Sequence, residues 1–218
     1  MSIAKNKIIL PAALLAIIAA LSGVFVYNRF TQAPSTQQLQ TKLLAATLYP
    51  DNFRPLGTFK LTAHDGRTFD NNELAGRWNL VFFGFTYCPD VCPLTLQTLR
   101  DIVDTLAAHG VADRLRVIFV SVDPERDTPE RLRKYAGYFH PDFIGVTGPH
   151  ENLQALTSSL GVFYSRTENP ENPAQYQVDH SASLFLIDGN GKIRALFSAP
   201  LEAQAIAQDL LILLQQGV

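Results

Sequence analysis

The run Trp78–Phe85 (WNLVFFGF) is apolar at nearly every position. A strand with one wet face alternates; a run without alternation needs cover on both faces. That need puts helices on two sides of a sheet and points to an α/β architecture. Arg116–Val122 (RVIFVSV) has the same character. Between the two, Leu96, Leu99, Ile102, Val103 and Leu106 recur at helical spacing over Leu94–His109, and Gly110 stops the helix. Two parallel strands require such a crossover.

The alternation continues to the C-terminus. Thr58–Thr62 and Arg67–Phe69 flank the turn signal His64-Asp65-Gly66. Thr128 caps a helix with Pro129 at its first position, running to about Phe139. Phe143–Val146 is read as a short strand and Glu151–Leu160 as a helix. Val162–Arg166 and Tyr176–Val178 are extended pieces around an Asn/Pro-rich loop. Asp188-Gly189-Asn190-Gly191 joins the strands Ser183–Ile187 and Lys192–Phe197, and Leu201–Leu214 is a closing amphipathic helix. The predicted fold is a mixed sheet with helices on both faces, for which a thioredoxin-like α/β domain over 51–218 is the simplest match.

Mean hydropathy is +0.05, high for a soluble domain. The excess sits in Ile8–Tyr27, 20 residues without a charge. As a helix they would extend about 30 Å, the thickness of a bilayer core. Lys5 and Lys7 precede the run and Arg29 follows it, which favours a cytoplasmic N-terminus over 1–7. A cleaved signal peptide would end its apolar core near Ala20-Leu21-Ser22, but Val24-Phe25-Val26 continues beyond that point. The expectation is a transmembrane anchor at 8–27 and a periplasmic tether at 28–50, with a short helix around Leu39–Leu48. The C-terminal domain of such a bacterial inner-membrane protein lies in the periplasm, a compartment that tolerates disulfides. A net charge of −2 argues against a broad grip on nucleic acid.

The only two cysteines stand four apart, in Cys88-Pro89-Asp90-Val91-Cys92. They follow one buried strand and precede a helix. Pro93 places the helix start at that residue and leaves both cysteines on the turn before it. The positive end of the helix dipole then favours thiolate. Such a pair can close as a structural disulfide, cycle as a redox dithiol or bind a soft metal. A bridge closing so short a loop gains little chain entropy. Thioredoxin-type oxidoreductases use two intervening residues rather than three. A peroxiredoxin places Thr three residues before its reactive Cys, whereas Thr86 is two before Cys88. Two thiolates alone suit Cu(I), while Cu(II) or zinc wants a nitrogen as well. His64, His109, His140 and His150 read as solvated or capping residues. His180, in Val178-Asp179-His180-Ser181 before a strand, is the histidine that a doubly wound fold could bring over the cysteines.

Three segments carry a resemblance. Phe83-Gly84-Phe85-Thr86-Tyr87-Cys88-Pro89-Asp90-Val91-Cys92-Pro93, then Ser121-Val122-Asp123-Pro124-Glu125-Arg126-Asp127-Thr128, then Val178-Asp179-His180 resemble the Sco (SenC-type) family of copper chaperones for cytochrome c oxidase assembly. The likeness runs through 51–218 and extends to the N-terminal anchor. It implies a thioredoxin-like domain that binds one copper, as Cu(I) or Cu(II), through Cys88, Cys92 and His180. It implies delivery to the dinuclear copper site of cytochrome c oxidase subunit II, with a periplasmic copper donor and a thiol reductant as further partners. Asp179 is a candidate support for the histidine or a solvated loop carboxylate. Asp90 tunes the site charge, meets a partner or favours the helix N-terminus. The Asp123–Thr128 segment reads as a loop ending in a helix cap. A thiol–disulfide oxidoreductase using Cys88 and Cys92 is the competing reading.

Overall fold

The computed structural model describes residues 20–24, 36–50, 52–53, 55–168 and 176–216, with the backbone alone at 177, 180 and 216. The chain divides into two units, Met1–Ser35 and Thr36–Val218. Most of the anchor expected at 8–27 lies outside the described residues. Among the described residues no helix is long and apolar enough to cross a membrane.

From Thr36 the chain forms α1 (Thr36–Gln40), β1 (Ala46–Leu48), β2 (Lys60–Ala63), β3 (Thr68–Asp70), β4 (Trp78–Gly84), α2 (Val91–Ala108) and β5 (Leu115–Ser121). Then come α3 (Pro129–Phe139), β6 (Ile144–Thr147), α4 (His150–Leu160), β7 (Tyr164–Thr167) and β8 (Gln177–His180). β9 (Leu184–Ile187), β10 (Ile193–Phe197) and α5 (Ala203–Leu213) close the domain. Eight strands make one sheet in the order β1-β10-β9-β4-β5-β6-β2-β3, while β7 and β8 pair only with each other.

β4 is buried at all seven positions, as its unbroken apolar run demands. It runs parallel to β5 in the register Trp78↔Leu115 to Gly84↔Ser121, and β5 runs parallel to β6. On its other edge β4 meets β9 antiparallel, with Phe82 opposite Leu184. α2 packs on α5, and α3 packs on β6. Trp78, Phe82, Phe83 and Phe119 are among the largest fully buried side chains. At the start of α3, Thr128 Oγ1 accepts the Arg131 N–H at 3.3 Å, with Pro129 next to it, as the sequence predicts. The thioredoxin-like arrangement is present, and it carries the carboxyl end of β4 in the middle of the sheet.

The described part of the expected tether, 36–50, is folded onto the domain. Instead of a helix over Leu39–Leu48, residues 36–40 form α1, and Ala46–Leu48 pair antiparallel with β10 as the edge strand β1. Asp209 supplies the reason. Its carboxylate is buried within α5, with Oδ1 accepting the Leu44 N–H and Oδ2 accepting those of Ala45 and Ala46, each at 2.8 Å. Three backbone donors at one carboxylate leave no helical ladder for this segment. Gln40 closes the same loop, donating to the Ala46 carbonyl and accepting the Leu48 N–H, both at 2.8 Å.

Candidate metal centre

The two cysteines sit where β4 gives way to α2. The Cys88 N–H turns back to the Phe85 carbonyl at 3.2 Å. α2 begins at Val91, two residues earlier than Pro93 led us to expect, so Cys92 lies in the first helical turn. Pro93 is tolerated as the third helical residue because an N–H there would have no intrahelical partner. The first i→i−4 bond runs from the Leu94 N–H to the Asp90 carbonyl at 3.3 Å. Asp90 occupies the N-cap but forms no side-chain cap bond. The Cys92 N–H is instead directed at Cys88 Sγ, 3.4 Å away. One sulfur thus takes the part of the capping oxygen, and the two cysteines share a single turn.

Their environments differ. Cys88 is half-buried and Cys92 is fully buried, and no disulfide joins them. Cys92 Sγ lies against the backbone of β4: a Cβ added at Gly84 would stand 2.7 Å from it and 2.8 Å from the Phe119 ring. Glycine at 84 therefore makes the space the sulfur occupies. Burial pushes the Cys92 thiol up, well above the ordinary thiol range. The dipole argument for thiolate is outweighed at this residue by the cost of charging a buried sulfur. A soft cation or an oxidising partner would have to displace that proton.

A buried polar network sits beside this turn. Asp127 is wholly buried, and its Oδ2 accepts the Thr86 N–H at 2.8 Å and the Ser121 hydroxyl at 2.6 Å. Its Oδ1 accepts the Thr86 hydroxyl at 2.5 Å, and Arg131 Nε donates to Thr86 Oγ1 at 2.6 Å. Asp123 is also buried; Oδ2 accepts from Arg126 Nε at 2.5 Å and Oδ1 accepts from the Tyr176 hydroxyl. The Arg126 guanidinium lies 3.6 Å from the Tyr176 ring centroid and 4.8 Å from that of Tyr87. Burial and the Asp123 carboxylate push Tyr176 up to about 12, so it stays a donor. The Tyr135 hydroxyl is buried without a hydrogen-bond partner among the described residues. Burial, the largest cause, pushes its pKa up.

His180 ends β8, where its backbone pairs with Tyr164. Its side chain lies outside the described residues. β9 starts four residues later, opposite Phe82 near the end of β4. Four residues reach about 14 Å at most, so the chain path brings the end of β8 to the edge that carries the cysteine turn. Among the described residues no third His, Cys, Asp or Glu side chain joins the cysteines in a group able to hold a metal. Asp179 is exposed, opposite Ser165.

The other four histidines have local work. His64 Nδ1 accepts the Gly145 N–H at 3.1 Å, and burial holds its pKa below the ordinary value. His109 bonds the Thr105 carbonyl at the end of α2, and His140 accepts the Asp142 N–H at the end of α3. His150 opens α4 rather than lying in a loop, with Nε2 2.8 Å from Glu125 Oε1 and Nδ1 3.1 Å from the Tyr164 hydroxyl. Asp123, Arg126, Asp127, Tyr176 and Tyr135 escaped the sequence reading as site residues. The available signal was a loop with two carboxylates four apart, wedged between a buried strand and a capped helix.

Comparison with known proteins decides the family. The SCO1/SenC family model matches residues 49–215. The chain belongs to the SCO1/SenC family. An SCO2-like protein of Rickettsia felis is 40% identical over 145 residues, 66% of this chain and 70% of the relative. The crystal structure of yeast Sco1 with copper bound aligns with a TM-score of 0.69 at 30% identity, covering 76% of this chain and 91% of that one. The solution structures of apo Sco1 from Thermus thermophilus align with a TM-score of 0.66 at 37% identity, covering 75% and 93%. The family match begins just after β1 and spans β2 to α5, including the cysteine turn and the β7–β8 pair.

Proposed function

We propose that this chain is a copper metallochaperone that binds one ion through Cys88, Cys92 and His180 and delivers it to the dinuclear copper site of cytochrome c oxidase subunit II. Residues 8–27 anchor it in a bacterial inner membrane and the C-terminal domain faces the periplasm. The observation that carries the reading is the cysteine turn: two thiols of unequal exposure, sharing one helix start in a space cleared by Gly84. Copper held by yeast Sco1 on the same fold supports it. Two thiolates suit Cu(I), and an imidazole added to them accommodates Cu(II). Copper is the cargo. Cys88, at the surface, exchanges first with an incoming thiolate, and Cys92 lets go last because its sulfur is enclosed. A periplasmic donor supplies the metal and a thiol reductant keeps the pair reduced. The test is a titration of the reduced full chain with Cu(I) and, once the reductant has been removed, with Cu(II). One equivalent should bind, with a thiolate-to-Cu(II) absorption that weakens in His180→Ala. Equal copper binding by the wild type and Cys88→Ala/Cys92→Ala would sink the reading.

The unequal exposure also favours a second reading, a thiol–disulfide oxidoreductase. Cys88 thiolate attacks a partner disulfide, one partner thiolate leaves, and Cys92 displaces the other to close Cys88–Cys92. The partner gains two electrons, and a periplasmic thiol reductant restores the pair. Turnover retained in His180→Ala while copper binding is lost would favour this role.

A further inference from the structure

The strand that ends at His180 belongs to a two-stranded sheet that shares no ladder with the sheet holding the cysteine turn. Strand pairing therefore does not set the distance between the two halves of the site. Apolar packing of Val162 and Val178 seats the pair, but such contacts are non-directional. The directional contacts to it described above come from Asp123–Asp127 and from His150, which Glu125 holds.

We infer that Asp123–Asp127 is a brace with two ends, which positions the cysteine turn at one end and the histidine-bearing strand at the other. This rests on the ligand reading above. At the cysteine end, Asp127 accepts from both the N–H and the hydroxyl of Thr86, two residues before Cys88. At the histidine end, Asp123 takes the Tyr176 hydroxyl, four residues before His180. Arg126 fastens that contact twice more, through its guanidinium over the Tyr176 ring and a bond from Nη1 to the Tyr176 carbonyl at 3.3 Å. Glu125 reaches the other strand. Its carboxylate lies 2.8 Å from Nε2 of His150, whose Nδ1 lies 3.1 Å from the hydroxyl of Tyr164, the residue that pairs with His180. Asp123 and Asp127 are themselves linked through the backbone, since the Asp127 N–H donates to the Asp123 carbonyl at 3.0 Å. Asp123, Asp127 and Tyr176 are thus positioning residues that act through the ligands.

The ends are separable by ion. Disturbing the histidine end costs the ion that needs imidazole, and spares the one that two thiolates hold. The experiment uses the full chain in detergent. Cu(I) and Cu(II) affinities and Cu(II) electron paramagnetic resonance are measured in wild type, His180→Ala, Tyr176→Phe, Asp123→Asn and the Tyr176/Asp123 double variant. Tyr176→Phe removes one oxygen and keeps the stacked ring. Tyr176→Phe and Asp123→Asn should each weaken Cu(II) about 10-fold, the usual scale for a contact that orients a ligand. The double variant should be no worse than the single ones, and the imidazole nitrogen splitting should change. Cu(I) affinity should stay within about twofold. Wild-type Cu(II) affinity and spectra in both variants, with His180→Ala impaired, would overturn the brace and leave the ligand reading intact. Equal loss of both ions would overturn it too, since the contact would then only hold the fold. Unchanged Cu(II) binding in His180→Ala would remove the ligand reading and the brace together.

Discussion

The cysteine turn and the β7–β8 pair are built on opposite principles. The turn continues a strand buried at every position and starts an 18-residue helix. Its sulfur is enclosed and its backbone is bonded to a buried carboxylate. The β7–β8 pair has one strand with three exposed residues of four, and is secured by a few side-chain contacts to a loop. A rigid half and a lightly fastened half suit a site that must hold a metal and also give it up. Preorganisation on one side keeps the thiolates in place while the other side adjusts.

That contrast can be broken in graded steps. Cys88→Ala/Cys92→Ala should abolish binding of Cu(I) and Cu(II) alike in a competition titration, because no other thiol exists in the chain. Asp127→Ala, which orphans three donors, should cost about 3 kcal/mol in urea unfolding; a loss near zero would show that the turn holds itself. Gly84→Ala forces a methyl to 2.7 Å from Cys92 Sγ and should cost about 2 kcal/mol. Copper binding to the buried thiol expels a proton, so Cu(I) affinity should rise with pH by about 1.4 kcal/mol per unit for each proton released. The direction follows from the raised Cys92 value: below it the proton competes with the metal. The smallest effect belongs to the outer pair. His150→Ala removes the half-exposed contacts to Glu125 and Tyr164 and should lower stability by less than about 1 kcal/mol. A larger loss would mean that the second sheet is fastened more firmly than its exposure suggests.

The sheet was legible because its central strands carry unbroken apolar runs and its helix a clear period. The cysteine pair was legible because four-residue spacing after a buried strand has few uses. The start of α2 was misjudged because Pro93 reads as a first helical residue, whereas the third position also lacks a partner for its N–H. β1 was hidden because the carboxylate that shapes it, Asp209, lies 163 residues from Ala46. The roles of Asp123 and Asp127 were hidden for a related reason. A carboxylate in a loop resembles a solvated one until the fold places Thr86 and Tyr176 against it.

Asp209 has a mechanical consequence. Any pull on the chain before Thr36 meets a clamp of three backbone bonds to α5 before it reaches the β1–β10 ladder. From β1, two strands, β10 and β9, intervene before β4. Load entering there is spread into the sheet edge and the closing helix. The cysteine turn lies off that path, so the domain can be tugged by its leading segment without straining the sulfur pair.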